Sequence, residues 1–382
     1  MTNLASVKKN VDELAESFRK TWRERQLRRS LDPGDFDQLR QTGFHLTGVP
    51  SEQGGVRTDL SESTRSICEM LRCLARVDSS FALVASMHPS VMCFWTALPI
   101  VASEYQQAWD RQTSYVIRRT MEGAWWGTIT SEPGTSGDIM LSKAVATPTA
   151  AAPGYRLTGA KHFGSGSGMM QCMLTAAVAE GEQRPDWFIV EMPPQPWDGK
   201  NGVRMLAPWD GHGMTATQSH SVEFIDMPAE RSAWPGQIDK VMGAQRGAVG
   251  CMFTAVIVGV VDAAIAEAAR RLKPSLDSMK AFDQVEWTRA QQEAWLVRQA
   301  MEGMLRGMDD PATSNTQALL GKISIAELAD SIMQRISRVV GGGTYSRNSP
   351  FGYWQQDVRA LGYLRPPWGL SFARAFTLLN DK

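Results

Sequence analysis

Apolar positions at the start of the chain recur at helical spacing. Val7, Val11, Leu14 and Phe18 fall on one face of a helix, with Lys8 and Lys9 on the opposite, solvated face. Asp32-Pro33-Gly34-Asp35 breaks this pattern, and residues 36–42 predict a second helix that stops at Gly43. Residues 49–55 are a turn-rich connection, residues 60–77 read as helix, and residues 80–98 form a long apolar helix carrying His88 before Pro89. From residue 124 the period shortens. Residues 124–130, 155–157, 173–179, 187–192 and 221–225 are strand-like runs separated by Pro, Gly and Asp turns, among them Pro153-Gly154 and Asp198-Gly199. Beyond Trp234-Pro235-Gly236 the helical period returns. Ala248–Leu272 is apolar nearly all round and predicts a central core helix. Residues 287–308, residues 316–340 and a closing helix over 357–379 follow it.

This order predicts an α+β fold: an N-terminal helical domain (1–120), a compact antiparallel β domain of sandwich or barrel type (121–232), and a C-terminal helical bundle (233–382). Lys plus Arg and Asp plus Glu both number 40, so nothing in the net charge points to nucleic acid or an anionic membrane. The five cysteines include no Cys-x-x-Cys pair, which argues against a zinc site or a disulfide framework and for a reducing compartment. The longest uncharged apolar run, residues 247–261, is shorter than the ~20 residues of a membrane helix. A cytoplasmic protein that does not engage membranes is the expectation.

Candidate chemistry centres on Gly127-Thr128-Ile129-Thr130-Ser131-Glu132-Pro133-Gly134-Thr135-Ser136-Gly137-Asp138. A strand here empties into a turn rich in hydroxyls and glycine. Such a turn can cradle a planar, hydrogen-bonding cofactor, or can simply be a strand exit needing special backbone angles.

The stretch gains meaning beside two others. Thr130 to Asp138 is similar to the Leu-Thr-Glu-Pro-Gly-x-Gly-Ser-Asp motif of the acyl-CoA dehydrogenase superfamily. Leu157-Thr158-Gly159-Ala160-Lys161-His162-Phe163-Gly164-Ser165-Gly166 resembles its Leu-x-Gly-x-Lys-x-Trp-Ile-Thr-Asn, and Gly341-Gly342-Gly343-Thr344-Tyr345…Pro350…Asp357 resembles its C-terminal Gly-Gly-x-Gly-Tyr…Pro…Arg-Asp. Their order and spacing run along nearly the whole chain. The resemblance implies that family's layout, with a helical N-terminal domain, a central β domain and a four-helix bundle. It also implies a flavin, FAD or FMN, and a homodimer or homotetramer. By the same resemblance Thr130 and Ser131 meet the pyrimidine edge, Phe163 covers a ring face and Ser165 reaches N5. Gly341 and Gly342 would receive the pyrophosphate of a flavin held mainly by a neighbouring subunit, with Arg338 beside it to pair with phosphate.

The departures bear on activity. Arg365, followed by Pro366-Pro367, stands where the family's dehydrogenases carry the glutamate that removes the substrate α-proton, and no acidic residue lies between Lys240 and Val261. A guanidinium cannot accept that proton at neutral pH. The Arg-x-x-Phe-Gly signature is also absent, since Arg271 runs into Leu272-Lys273-Pro274. One branch of the superfamily, the two-component flavin monooxygenases, works without the glutamate and takes reduced flavin from a partner reductase. Ser165, in its Gly-Ser-Gly-Ser setting, and His88, after Asp78-Ser79-Ser80, resemble that branch. The favoured expectation is thus a flavin-dependent monooxygenase acting on a small apolar or aromatic substrate, with Ser165, His88 and Arg365 at its catalytic site. The alternatives are a dehydrogenase using a different base and a catalytically silent flavin-binding protein.

Overall fold

The computed structural model describes residues 3–98, 101–152 and 154–380, so the Pro153 half of the Pro153-Gly154 turn lies outside the described residues. Six helices come first: α1 (Leu4–Arg19), α2 (Trp22–Leu27), α3 (Pro33–Gln41), α4 (Leu60–Ala75), α5 (Ser79–Thr96) and α6 (Ser103–Met121). The α1 stripe of Val7, Val11, Leu14 and Phe18 is buried as its spacing predicts. The expected break falls just ahead of this stretch, between α2 and α3, and Asp32-Pro33-Gly34 itself starts α3. Asp32 accepts the Gly34 amide at 2.9 Å and Pro33 takes the first position, where a missing N–H costs nothing. Helix α5 begins under the Asp78 carboxylate, which accepts the Phe81 amide at 2.9 Å, and continues through Pro89 with nearly every side chain buried.

Seven strands follow: β1 (Trp126–Thr128), β2 (Val145–Pro148), β3 (Tyr155–Gly164), β4 (Cys172–Ala179), β5 (Pro185–Glu191), β6 (Val203–Ala207) and β7 (His220–Arg231). Strands β2, β3, β7, β5 and β4 pair in a closed ring, with β1 added to β4 and β6 to β7. The sheet is mixed, which corrects the antiparallel expectation. Both β1 and β2 run parallel to β4 along one of its edges, Trp126 beside Cys172 and Val145 beside Val178. Local patterning gives strand positions but not direction, and the long 129–171 connection between β1 and β4 permits the crossover. β4 and β5 are buried on both faces. Met173, Ala177, Phe188 and Val190 point into one core, while Cys172, Leu174, Trp187 and Ile189 join another with Val91, Phe94 and Trp95 of α5.

The chain ends with α7 (Ile238–Gly243), α8 (Ala248–Leu272), α9 (Ala281–Gly307), α10 (Ser314–Val340), α11 (Phe351–Arg359) and α12 (Trp368–Asn380). The single closing helix expected over 357–379 is broken, because Pro366 and Pro367 interrupt it between α11 and α12. Among the described residues the C-terminal region therefore holds three long helices and three shorter ones. α8 packs against α4 and α5 as well as α9, α10 and α11. By length and composition α8 with its continuation to Ser278 could cross a membrane, yet 67% of its apolar window is buried inside the protein. It is the core helix that the sequence predicts. Gly259 sets its approach to α4, since a Cβ there would lie 2.4 Å from the Arg72 carbonyl oxygen and 2.8 Å from the Ala75 Cβ. On the polar flank Asp262 pairs with Arg72 at 2.7 Å and Arg76 at 3.0 Å.

Gly259→Ala is expected to push α4 and α8 apart and to cost about 1–3 kcal/mol. A calorimetric melt checks this: the variant's midpoint falls below that of the parent, and an unchanged midpoint would show that the contact relaxes freely.

Candidate active site

The site is built on the exit of β1. Glu132, just beyond it, is buried and its carboxylate is fully occupied. It accepts Lys161 Nζ at 2.5 Å, the Lys143 amide at 2.5 Å, the Ala144 amide at 3.2 Å and the Ser142 hydroxyl. Lys161, from β3, has no exposed surface and also donates to the Ala176 carbonyl of β4 at 2.5 Å. Burial alone would push the Glu132 carboxyl up, but the Lys161 charge and these hydrogen bonds outweigh it and hold the group below the usual carboxylate range. One ion pair thus ties the β1 exit, β3, β4 and the lead into β2. Both residues lie inside the matched motifs, yet the sequence reading gave neither a role. A charged residue at an inward strand position was the available signal.

With the loop fixed, Ser131 is bridged to β3 by the His162 amide, which donates to the Ser131 carbonyl at 2.8 Å. The next residue, Phe163, sits at φ 57°, a left-handed conformation unusual for an aromatic side chain. It lies at a register shift between β3 and β7, where a bulge re-aims side chains. Its ring is 60% exposed, with the Trp209 ring edge-on at 6.1 Å. An exposed aromatic one residue from the bridge between His162 and Ser131 offers flat cover to a planar ligand, and the bridged segment offers the Thr130 and Ser131 hydroxyls for hydrogen bonds.

Ser165 is buried two residues further on, and its hydroxyl belongs to a chain. Ser165 Oγ lies 2.8 Å from Ser219 Oγ, which lies 2.7 Å from Thr217 Oγ1, which donates to the Met214 carbonyl at 2.9 Å. Each hydroxyl has a single proton. Thr217 commits its own to a carbonyl that can only accept, so Ser219 donates to Thr217 and Ser165 donates to Ser219. The Ser165 oxygen is left as an acceptor. Neither Ser219 nor Thr217 stood out in the sequence.

A cavity of about 570 Å³ opens beside the β1 exit, within the size range of small-molecule sites. Its apolar wall includes Met87, Val91 and Phe94 of α5 and Phe253 of α8, and Thr128 and Thr130 line it too. Lys322, Arg365 and Arg374 bring three cationic side chains to the same cavity, and its one carboxylate among the described residues is Asp239, exposed and paired with Arg184 at 3.0 Å. Arg365 Nη2 donates to the Ser131 hydroxyl at 3.0 Å. Burial pushes the Arg365 guanidinium down to about 10, which leaves it protonated at neutral pH. Burial, with the charge of Arg374, pushes the Lys322 amine down to about 7. Lys322 donates to the Leu364 carbonyl at 2.6 Å and to the Pro366 carbonyl, bracing the segment that carries Arg365.

Thr130, Ser131, Phe163, Ser165 and Arg365 thus fall within one neighbourhood, although only Thr130 and Arg365 of these line the cavity itself. His88 is placed elsewhere. Its Nε2 lies 2.8 Å from the His45 carbonyl oxygen and its Nδ1 accepts the Trp126 amide at 3.1 Å, so both nitrogens are spent on backbone. Burial drives it down to about 3, and it is a neutral strut between α5 and β1 with no nitrogen free for a ligand. Gly341 and Gly342 lie at the far end of α10 from Lys322, roughly 28 Å along the axis at ~1.5 Å per residue. They face open space. Arg338 there is held by Glu286 at 2.9 Å, the same carboxylate that pairs with Arg335. All five cysteines are free, and no metal-binding cluster of His, Cys, Asp or Glu occurs among the described residues.

Glu132→Gln is expected to leave Lys161 buried without its counter-charge and to destabilise the chain by about 3–5 kcal/mol, read by denaturant unfolding. Because the folded-state carboxyl is depressed, its contribution is present above the ordinary carboxylate range and is lost as pH falls below about 4 toward the folded value. The parent should therefore lose stability in acid more steeply than the variant.

No protein-family model matches the chain. Dibenzothiophene monooxygenase of Rhodococcus qingshengii is 25% identical over 340 residues, which covers 85% of this chain and 72% of that protein. A putative acyl-CoA dehydrogenase, YdbM of Bacillus subtilis (strain 168), is 22% identical over 373 residues, covering 94% of this chain and 92% of that protein. Among solved structures, FMN-bound TdsC of Paenibacillus sp. A11-2 superposes with a TM-score of 0.79 at 19% identity, covering 98% of this chain and 97% of that one. In fold and along most of its sequence, the chain is similar to the acyl-CoA dehydrogenase-like flavin monooxygenases.

Proposed function

We propose that this chain is a flavin-dependent monooxygenase whose substrate has a small, largely apolar or aromatic body. The observation that carries the reading is Arg365. The cavity presents a protonated guanidinium beside Thr130 and Ser131, where proton removal from a thioester would need a carboxylate. The likeness to a dibenzothiophene monooxygenase supports oxygenation, and the FMN and indole bound to TdsC support a flavin, FMN rather than FAD, and an aromatic ligand. Reduced flavin, when bound, supplies the electrons that activate dioxygen, and a partner reductase would deliver it.

This chain's residues have the complementary tasks. Phe163 would cover one face of the ring system, and Thr130 and Ser131 would meet its polar edge. Ser165, its own proton given to Ser219, would accept the hydrogen of N5. The apolar wall from α5 and α8 keeps water from the reacting centre. Gly341 and Gly342, open to solvent at the end of α10, suit contact with a neighbouring copy's cofactor in a homodimer or homotetramer. The division into domains at 1–120, 121–232 and 233–382 belongs to the same reading.

One observation favours a second reading. Burial brings the Lys322 amine down to about 7, so near neutral pH only part of the population is uncharged; in that form, its two N–H groups donated to carbonyls, a lone pair is free to take a proton in the cavity. That is the replacement base a dehydrogenase would need.

Two experiments test the proposal. In a stopped-flow oxygen reaction with added reductase, Ser165→Ala is expected to bind reduced FMN, yet to release more hydrogen peroxide per product than the parent. A variant as well coupled as the parent would make Ser165 merely structural. Anaerobic mixing of the flavin-loaded protein with saturated acyl-CoA thioesters is expected to leave the flavin oxidised. Rapid bleaching that disappears in Lys322→Met would establish the dehydrogenase reading instead.

A further inference from the structure

Among the cavity's cationic side chains, Arg365 is incompletely satisfied. A guanidinium carries five N–H donors, and a charge taken out of water is normally paired. Arg365 spends one donor on the Ser131 hydroxyl, makes no other hydrogen bond among the described residues and has no carboxylate within ion-pair distance. The two carboxylates nearest in the motif are engaged elsewhere. Glu132 is taken by Lys161, and Asp138 accepts the Met140 amide at 3.0 Å. The half-buried guanidinium therefore meets an apolar cavity with most of its donors open, and Lys322 adds a second positive group against the same segment. Arg374, exposed on α12, puts a third at the same cavity. The segment is held rigidly, because Pro366 and Pro367 restrict the backbone and Lys322 clamps the carbonyls on both sides of Arg365.

We infer that Arg365 is an anion-binding group, and that the substrate joins its compact apolar or aromatic body to a carboxylate or sulfur oxyacid anion seated on this guanidinium. The planar donor fork matches two oxygens of such a group, and low local polarity strengthens the pairing. Its depressed protonation equilibrium is what an unpaired, partly buried cation shows, and a seated anion would reverse it. The inference rests on the cavity being the substrate site of the proposed oxygenase. The same chemistry could come from the anionic edge of a reduced flavin, since Ser131 is shared between the two.

Calorimetric titration of the flavin-free full chain with benzoate and with its uncharged isostere benzamide tests this, with benzenesulfinate as a second anion. The parent is expected to bind the anions about tenfold or more tighter than benzamide. Arg365→Met should abolish that preference, and Arg365→Lys, which keeps the charge, should retain part of it. Thermal melts of both variants report folding. Equal binding of benzoate and benzamide by the parent, or an anion preference that survives in Arg365→Met, overturns the inference. Anaerobic titration with reduced FMN separates the two sources: loss of FMN binding in Arg365→Met with the benzoate preference intact assigns the anion to the cofactor and overturns the substrate assignment. Selective benzoate binding by a parent that fails to take up reduced FMN upholds the anion site while removing the oxygenase reading.

Discussion

The Glu132–Lys161 pair is the contact on which the candidate site depends. A buried ion pair of this kind adds little net stability over an apolar pair of the same volume, but it is costly to break. Its value is positional. Glu132 draws in the Lys161 ammonium, two amides and the Ser142 hydroxyl, while Lys161 reaches on to the Ala176 carbonyl. The hydroxyl loop therefore cannot slide relative to β3 or β4. Ser131, Phe163 and the register shift that turns the Phe163 ring outward follow from that anchoring.

The second determinant is the contrast between the cavity's walls and its charges. Helices α5 and α8 supply apolar surface because α5 is buried along nearly its whole length and the first half of α8 is an almost unbroken apolar run, and that surface needs no specific partner. Polarity comes from the broken end of the chain. The Pro366-Pro367 interruption delivers Arg365 to the cavity, and α10 contributes Lys322 from its first turns. A hydrophobic chamber with cations at one side orients a ligand by its charged end and holds its body by shape. A carboxylate base would bring the opposite sign to this place.

Much of this was legible in the sequence. The α1 stripe, the nearly all-apolar α8 and the change of period near residue 124 each follow from spacing and are found where expected. The motif matches brought Thr130, Ser131, Phe163, Ser165 and Arg365 into one neighbourhood. Less visible was whatever depends on partners distant in the chain. The parallel pairing of β1 and β2 with β4 is set by a long crossover, and β2 and β6 are short strands without clear alternation. His88 looked chemical because histidine is, yet its surroundings are two backbone groups that no local pattern announces. Ser219 and Thr217 matter only through their spacing from Ser165 in three dimensions, and Lys322 only through carbonyls some forty residues away.

The hydroxyl chain behind Ser165 has one more property. Its direction is set by a backbone carbonyl, and none of its members, Ser165, Ser219 or Thr217, changes charge across the working range of a protein. A histidine or carboxylate in the same place would offer a lone pair at one acidity and a proton at another. Here polarity is written into covalent structure and survives any change of solvent acidity that leaves the fold intact. Whatever Ser165 meets finds an acceptor as constant as the peptide group from which the chain begins.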